Sequence, residues 1–248
     1  MSSKGHVLVV LGSGTLRLQS RFSRKWDPDD SIGPGIGSAT AKEFAATGSF
    51  SKIVMVSRNE ARLQKESEAV RKAATSNVEV ISIPCDLSDL SALQKALEEI
   101  QNLGPLGGIF FNAARINIVD PLTAPVDELE EDFRTTNLAL YLTAQWGIPL
   151  LLQSRFSKPT FFVTGTWLAE KPLPALLSLS AVKASQQNMV MSFHEAFGKD
   201  IHFGLIKVIG VVSPDAKGTN PTNIAQKTLE LYQQGRAEWE LMAYVHDE

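Results

Sequence analysis

His6–Leu11 reads HVLVVL, Gly12-Ser13-Gly14 follows it, and Pro34-Gly35-Ile36-Gly37 runs into SATAKEFAATG. The apolar run is too short for a helix and reads as a buried strand. The glycines after it allow a tight turn and let bare backbone approach an anion. The alanine-rich stretch beyond them reads as a helix whose N-terminus faces that anion. Between the two glycine clusters lies an intrusion, Thr15–Gly33, which carries Arg17, Arg21, Arg24 and Lys25, then Asp27, Asp29 and Asp30. It has no usable apolar period. Three readings stand: a basic flap over bound phosphates, a disordered extrusion, and a translated retained intron, since whole codons keep the frame.

Along the rest of the chain, short apolar runs alternate with helical patterns. Strands are predicted at Lys52–Val56, Val78–Pro84, Gly108–Phe111, Thr160–Thr164 and Ile201–Val208, with an edge strand within Trp239–Val245. Helices are predicted over ARLQKESEAVRKAATS, Leu90–Leu103, Ser178–Phe197 and Thr222–Gln234, with one long helix or a broken pair over Pro125–Leu152. Strand–helix alternation without a linker or repeat predicts an α/β, Rossmann-type doubly wound parallel sheet in three layers. It forms a single unit over residues 1–248. Ligands of such sheets bind beyond the carboxyl ends of the strands, so the residues just after each strand carry the information.

The 248 residues suit one large α/β domain. A net charge of -3 and a pI near 5.9 give no reason to expect nucleic acid or an anionic membrane as partner. The one cysteine, Cys85, fits a reducing compartment and reads as a buried strand end rather than a nucleophile. There is no signal-peptide pattern and no apolar stretch approaching the ~18 residues of a membrane span, so a cytoplasmic protein is expected. No His/Cys/Asp cluster has metal-ligand spacing. Asp127–Asp132 reads as the solvated first turn of a helix, and Tyr141 as a core residue.

With Thr15–Gly33 set aside, the opening reads VLVVLGSG-PGIGSATAKEFA. It resembles the nucleotide-binding start of the short-chain dehydrogenase/reductase family, T-G-x-x-x-G-x-G, with Leu11 in place of the threonine. The resemblance runs from His6 to Trp239. It implies that Gly12, Ser13, Gly14, Gly35, Ile36 and Gly37 hold a dinucleotide pyrophosphate. Asp86-Leu87 resembles the family's pair that contacts adenine; a helix cap is the alternative for Asp86. Asn112-Ala113-Ala114 resembles part of the Asn-Asn-Ala-Gly signature lining the nicotinamide ribose region. Arg58 stands where an acid would accept from a ribose diol, and a guanidinium there favours NADP(H) over NAD(H). Gly210 and Ser213 stand for the glycine and threonine of Pro-Gly-x-x-x-Thr, with Ser213 near the nicotinamide amide.

For the reaction centre the resemblance implies Asn137 in a helical proton relay, Thr166 as the hydroxyl after the fifth strand, and Lys183 as the ribose-holding lysine of Tyr-x-x-x-Lys. The tyrosine's place, four residues before Lys183, is taken by Leu179. Hydride transfer to a carbonyl builds charge on oxygen that needs a proton donor, and losing one typically forfeits about 10²–10⁴ in rate. Ser178 and Ser180 are weak substitutes. Two expectations follow: an NADP(H)-dependent oxidoreductase acting on a small-molecule carbonyl or alcohol in a biosynthetic pathway, or a catalytically impaired nucleotide-binding or scaffold protein of the same fold. Homo-oligomerisation through the helices bearing Asn137 and Lys183 is usual in the family.

Overall fold

The computed structural model describes residues 5–12, 18–19, 35–75 and 77–247. Seven parallel strands form one sheet: β1 (Val7–Leu11), β3 (Lys52–Ser57), β4 (Glu79–Pro84), β5 (Leu106–Phe111), β7 (Thr160–Thr166), β8 (His202–Ile209) and β9 (Met242–His246), in the order β4-β3-β1-β5-β7-β8-β9. The order reverses between β3-β1 and β1-β5, so the crevice expected of such sheets opens at the carboxyl ends of β1 and β5. Buried valine, isoleucine and phenylalanine runs explain the strands, because both faces are covered by helices.

On one face Leu8, Val10, Ile53, Met55, Phe110, Phe162 and Ile206 pack with α1 (Ile36–Thr47), α2 (Glu60–Ala73) and α7 (Pro221–Gln233). On the other, Val9, Leu11, Ile109, Phe111, Val163 and Leu205 pack with α3 (Leu90–Gln101), α5 (Ala139–Gln153) and α6 (Leu177–Phe197). The short helix α4 (Val126–Phe133) runs through a π-helical turn, Arg134–Leu138, into α5. Of the two readings of Pro125–Leu152, the broken pair is the one observed, joined by a wide turn. There the Ala139 N–H reaches back to the Arg134 carbonyl, one residue further than in an α-helix.

Two corrections arise from side-chain placement. Asp132 is not part of a solvated turn: it is 1% exposed, inside the contact between α4 and α6. Tyr141 is not core but 49% exposed, on α5 alongside exposed Leu138 and Leu152. The intrusion also contains a regular piece. Leu18–Gln19 (β2) pairs in parallel with Ile116–Asn117 (β6), a two-residue bridge that needs backbone alone and no apolar period. Its other residues, with the flap, extrusion and intron readings, lie outside the described residues.

The amino end of β8 carries a pH-sensitive contact. The His202 ring stacks on Trp239 at 4.9 Å between centroids, and its Nε2 meets the Glu240 carbonyl at 3.1 Å. Burial holds this imidazole at about 4, outweighing the carbonyl's opposite pull. The folded state keeps the ring neutral, so its contribution is whole above the ordinary value of 6.5 and is lost as pH falls towards 4. The loss is on the order of 3 kcal/mol. Buried Glu66 and Asp132, whose carboxyls are raised by burial, act with the opposite sign. Urea midpoints at pH 7 and pH 5 should therefore be compared between the parent and His202→Phe. A flatter pH slope in the variant is expected, and an unchanged slope contradicts the assignment.

Candidate functional site

The carboxyl ends of β1, β3, β4 and β5 enclose a cleft lined by Gly12, Ser57, Arg58, Asp86, Leu87, Asn112, Ala113, Ala114, Arg115, Cys85 and Thr135. Of the residues singled out in the sequence, Gly12, Arg58, Asp86, Leu87, Asn112 and Ala113 meet here. Gly12 is the tightest point. Its φ of +79° suits only glycine, and a Cβ there would lie 2.7 Å from the Ala113 nitrogen. Its N–H donates to the Val56 carbonyl at 2.9 Å, and its own carbonyl accepts from Asn112 Nδ2 at 2.8 Å. Gly35 is the N-cap of α1 in extended conformation (φ -69°), with Ile36 and Gly37 buried in the first turn. Ser13 and Gly14 lie outside the described residues.

Arg58 follows β3 with an exposed side chain that forms no ion pair among the described residues. Asp86 accepts from the Ser88 N–H and hydroxyl through Oδ1, so it does turn the chain after β4, while Asp89 caps α3. Burial, then the nearby Asp86 and Asp89 carboxylates, push the Cys85 thiol up to about 11, which leaves it a protonated strand-end residue.

A chain of hydrogen bonds leads from this cleft to the lysine. Thr164 Oγ1 donates to Asn112 Oδ1 at 2.7 Å, and Lys183 Nζ donates to the Thr164 carbonyl at 2.8 Å and to Gln186 Oε1 at 2.8 Å. Lys183 is 7% exposed, and burial brings its ammonium down to about 7. Asn137 sits in the π-helical turn and its Nδ2 donates to the Val182 carbonyl at 3.0 Å, so it grips the backbone beside Lys183. The wide turn inserts the extra residue that turns both Thr136 and Asn137 inward. Thr166 ends β7, where its hydroxyl oxygen accepts from the Leu168 N–H at 3.4 Å.

Leu179, one turn before Lys183, is 6% exposed in an apolar cluster with Leu168 and Val182, against Ala114 and Ile116 from the loop after β5. Of the two serines beside it, only Ser178 has its hydroxyl proton committed. Ser178 gives its proton to Asp132 Oδ2 at 2.5 Å, whereas Ser180 Oγ accepts from the Leu173 N–H at 3.4 Å. Gly210 (φ +142°) and Ser213 follow β8, with Ser213 accepting from the Asp215 N–H. Thr166, Lys183, Asn137, Gly210 and Ser213 do not line the cleft itself.

Two features escaped sequence reading. Arg115 forms ion pairs with Glu128 and Glu131 at 2.9 Å each and with buried Asp132 at 3.1 Å, tying α4 to the loop after β5. Its place directly after Asn-Ala-Ala was the available signal. Lys207 of β8 is buried and ion-paired with Glu170, while Gln187 bonds both. Burial and these bonds act oppositely on Glu170, and the bonds prevail, holding its carboxyl low. A larger cavity of about 310 Å³, lined by Val7, Leu106, Trp146 and Gln153 among others, lies at the amino ends of the strands, away from these groups. Among the described residues no group of three or more His, Cys, Asp or Glu is placed to hold a metal, and no helix is long and apolar enough to cross a membrane.

A parallel sheet with its reversal at β1/β5, a glycine at the mouth of β1 and a cleft over the carboxyl ends define a Rossmann-type α/β protein. The short chain dehydrogenase family model matches residues 32–227, most of the chain, and the chain belongs to that family. The match starts at residue 32, within the last two residues of the Thr15–Gly33 intrusion. Uncharacterised oxidoreductases of Mycobacterium bovis and Mycobacterium tuberculosis are 32% identical over 106 residues, 42% of this chain and 30% of the relatives. The match thus spans less than a third of those relatives' length. Among solved structures, a metagenomic short-chain oxidoreductase in complex with NADP shares 18% identity over 99% of this chain and 98% of its own, with a TM-score of 0.78. L-Sorbose reductase from Gluconobacter frateurii, complexed with NADPH and L-sorbose, shares 17% over 98% and 96%, at 0.79. At these identities the likeness is one of fold.

Proposed function

We propose that this chain, as one nucleotide-binding unit over residues 1–248, is a cytoplasmic NADP(H)-dependent oxidoreductase acting on a small-molecule carbonyl or alcohol in a biosynthetic step. The observation that carries the reading is the hydrogen-bonded chain from Gly12 through Asn112 and Thr164 to Lys183, which joins the cleft to the lysine. The residues fit the cofactor: Gly12 lines the cleft at the mouth of β1 with no side chain of its own, and Arg58 offers an exposed guanidinium. Gly12, Ser13, Gly14, Gly35, Ile36 and Gly37 would hold the pyrophosphate, Arg58 the 2′-phosphate, and Asp86 and Leu87 the adenine. Asn112, Ala113, Gly210 and Ser213 would line the nicotinamide side, and Lys183 would hold its ribose. When bound, the reduced nicotinamide supplies a hydride. Thr166 would donate a hydrogen bond to the substrate oxygen, and Asn137 would steady the backbone that presents Lys183. The proton itself must come from water or a substrate group, since Leu179 has none to give.

Leu179 favours a second reading, in which the chain binds the nucleotide without turnover. The two separate on an NADPH oxidation assay with a carbonyl panel. Turnover lost in Thr166→Ala and Lys183→Ala supports the enzyme; saturable binding with no turnover of any substrate supports the second reading. Arg58→Asp is expected to weaken NADPH about 10- to 100-fold, with little effect on NADH. Equal loss for both cofactors contradicts the 2′-phosphate role.

A further inference from the structure

We infer that Gln186 is a positioning residue: it fixes the Lys183 ammonium against the carboxyl end of β7 and couples it to the π-helical turn that carries Asn137. Gln186 is fully buried, one turn beyond Lys183 on α6, and its Oε1 accepts from Lys183 Nζ at 2.8 Å. Its amide is oriented from the other side, because Nε2 donates to the Thr136 carbonyl at 3.3 Å. The oxygen is thereby committed to the lysine. Asn137 of the same turn holds the Val182 carbonyl, so the π-helical turn grips both flanks of Lys183.

Lys183 needs such a holder. A buried ammonium wants acceptors on all its N–H groups, and it has only the Thr164 carbonyl and Gln186 among the described residues. The residue one turn earlier, Leu179, is apolar. The charged groups on the elements packed against α6 are engaged elsewhere. Asp132 binds Ser178 and Arg115, Glu128 and Glu131 bind Arg115, Glu130 binds Arg134, and Glu170 binds Lys207. Asp127 lies in the first turn of α4, His202 at the far end of β8, and His194 and Glu195 near the far end of α6 itself. The Lys183 charge therefore rests on two neutral acceptors, and burial already weakens its hold on the proton. Removing one acceptor favours the neutral amine.

The Lys183 part of the nicotinamide-ribose role rests on the function proposed above; the lysine's own titration does not. Full-length protein labelled with ¹³C at lysine Cε gives a resonance identified by its loss in Lys183→Arg. In Gln186→Met, of similar volume, its titration midpoint is expected to fall by about 1 to 2 pH units, as removal of a hydrogen bond to a charged group requires. In Gln186→Glu the midpoint should rise instead, and this second variant keeps the test alive if the first folds poorly. Midpoints that stay at the parent value in the folded variants overturn the inference. NADPH titration of the same samples is the separate arm. A shifted lysine with unchanged NADPH affinity leaves Gln186 as the holder and removes the ribose role from Lys183.

Discussion

Arg115→Ala is expected to destabilise the folded chain by about 3–5 kcal/mol, the range for removing one partner of a buried ion pair. Two of its partners, Glu128 and Glu131, keep substantial contact with water and contribute little. The weight falls on Asp132, whose Oδ1 lies 3.1 Å from Nη1 inside the α4–α6 contact. Burial already lifts the Asp132 carboxyl above its ordinary value, with Ser178 and Arg115 pulling the other way. Without the guanidinium that carboxyl rises further, and a carboxyl raised in the folded state destabilises most when pH lies above its folded value. The loss in Arg115→Ala should therefore shrink as pH is lowered from 8 to 5. Asp132→Asn in the same background should recover much of it. Chemical denaturation at both pH values reads these differences, and a variant within about 1 kcal/mol of the parent would mean that the contact behaves as a surface pair.

Gly12→Ala should be nearly as damaging, by about 2–4 kcal/mol, because strain and collision add. Its φ of +79° is uncomfortable for any side chain, and the new Cβ would meet backbone, the Ala113 nitrogen and Cα at 2.7 and 2.8 Å, which cannot swing aside. The displaced loop carries Asn112, whose amide holds the Gly12 carbonyl and accepts from Thr164. The variant is thus expected to lose NADPH binding even at temperatures where circular dichroism shows it folded. Full binding by a stable Gly12→Ala protein would separate the β1 mouth from the cofactor.

The strands were readable because a parallel sheet covered on both faces writes itself as bare apolar runs. Boundaries moved where pairing, not composition, decides. β7 extends through Gly165 and Thr166 because they pair with Lys207 and Val208, and β5 starts at Leu106 rather than Gly108 because Leu106 pairs with Val7. The cleft was legible residue by residue at Gly12, Arg58, Asp86 and Asn112, since each follows a strand. The π-helical turn was not, because one extra backbone residue leaves no mark on the period of RTTNL. Asp132 looked solvated within DELEED because its partner Arg115 is distant in sequence and only the fold brings them together. Gln186 passed unnoticed for the same reason: its significance comes from the Thr136 carbonyl across the helix contact.

A fluorescence titration of NADPH, run on the full chain and on the chain lacking residues 15–33, tests the cofactor cleft most directly. Saturable binding by at least the shortened chain is expected, competed by 2′-phosphorylated adenosine nucleotides and lost in Lys183→Ala. Silence from both proteins, each shown to be folded, would contradict it and leave only the architecture standing.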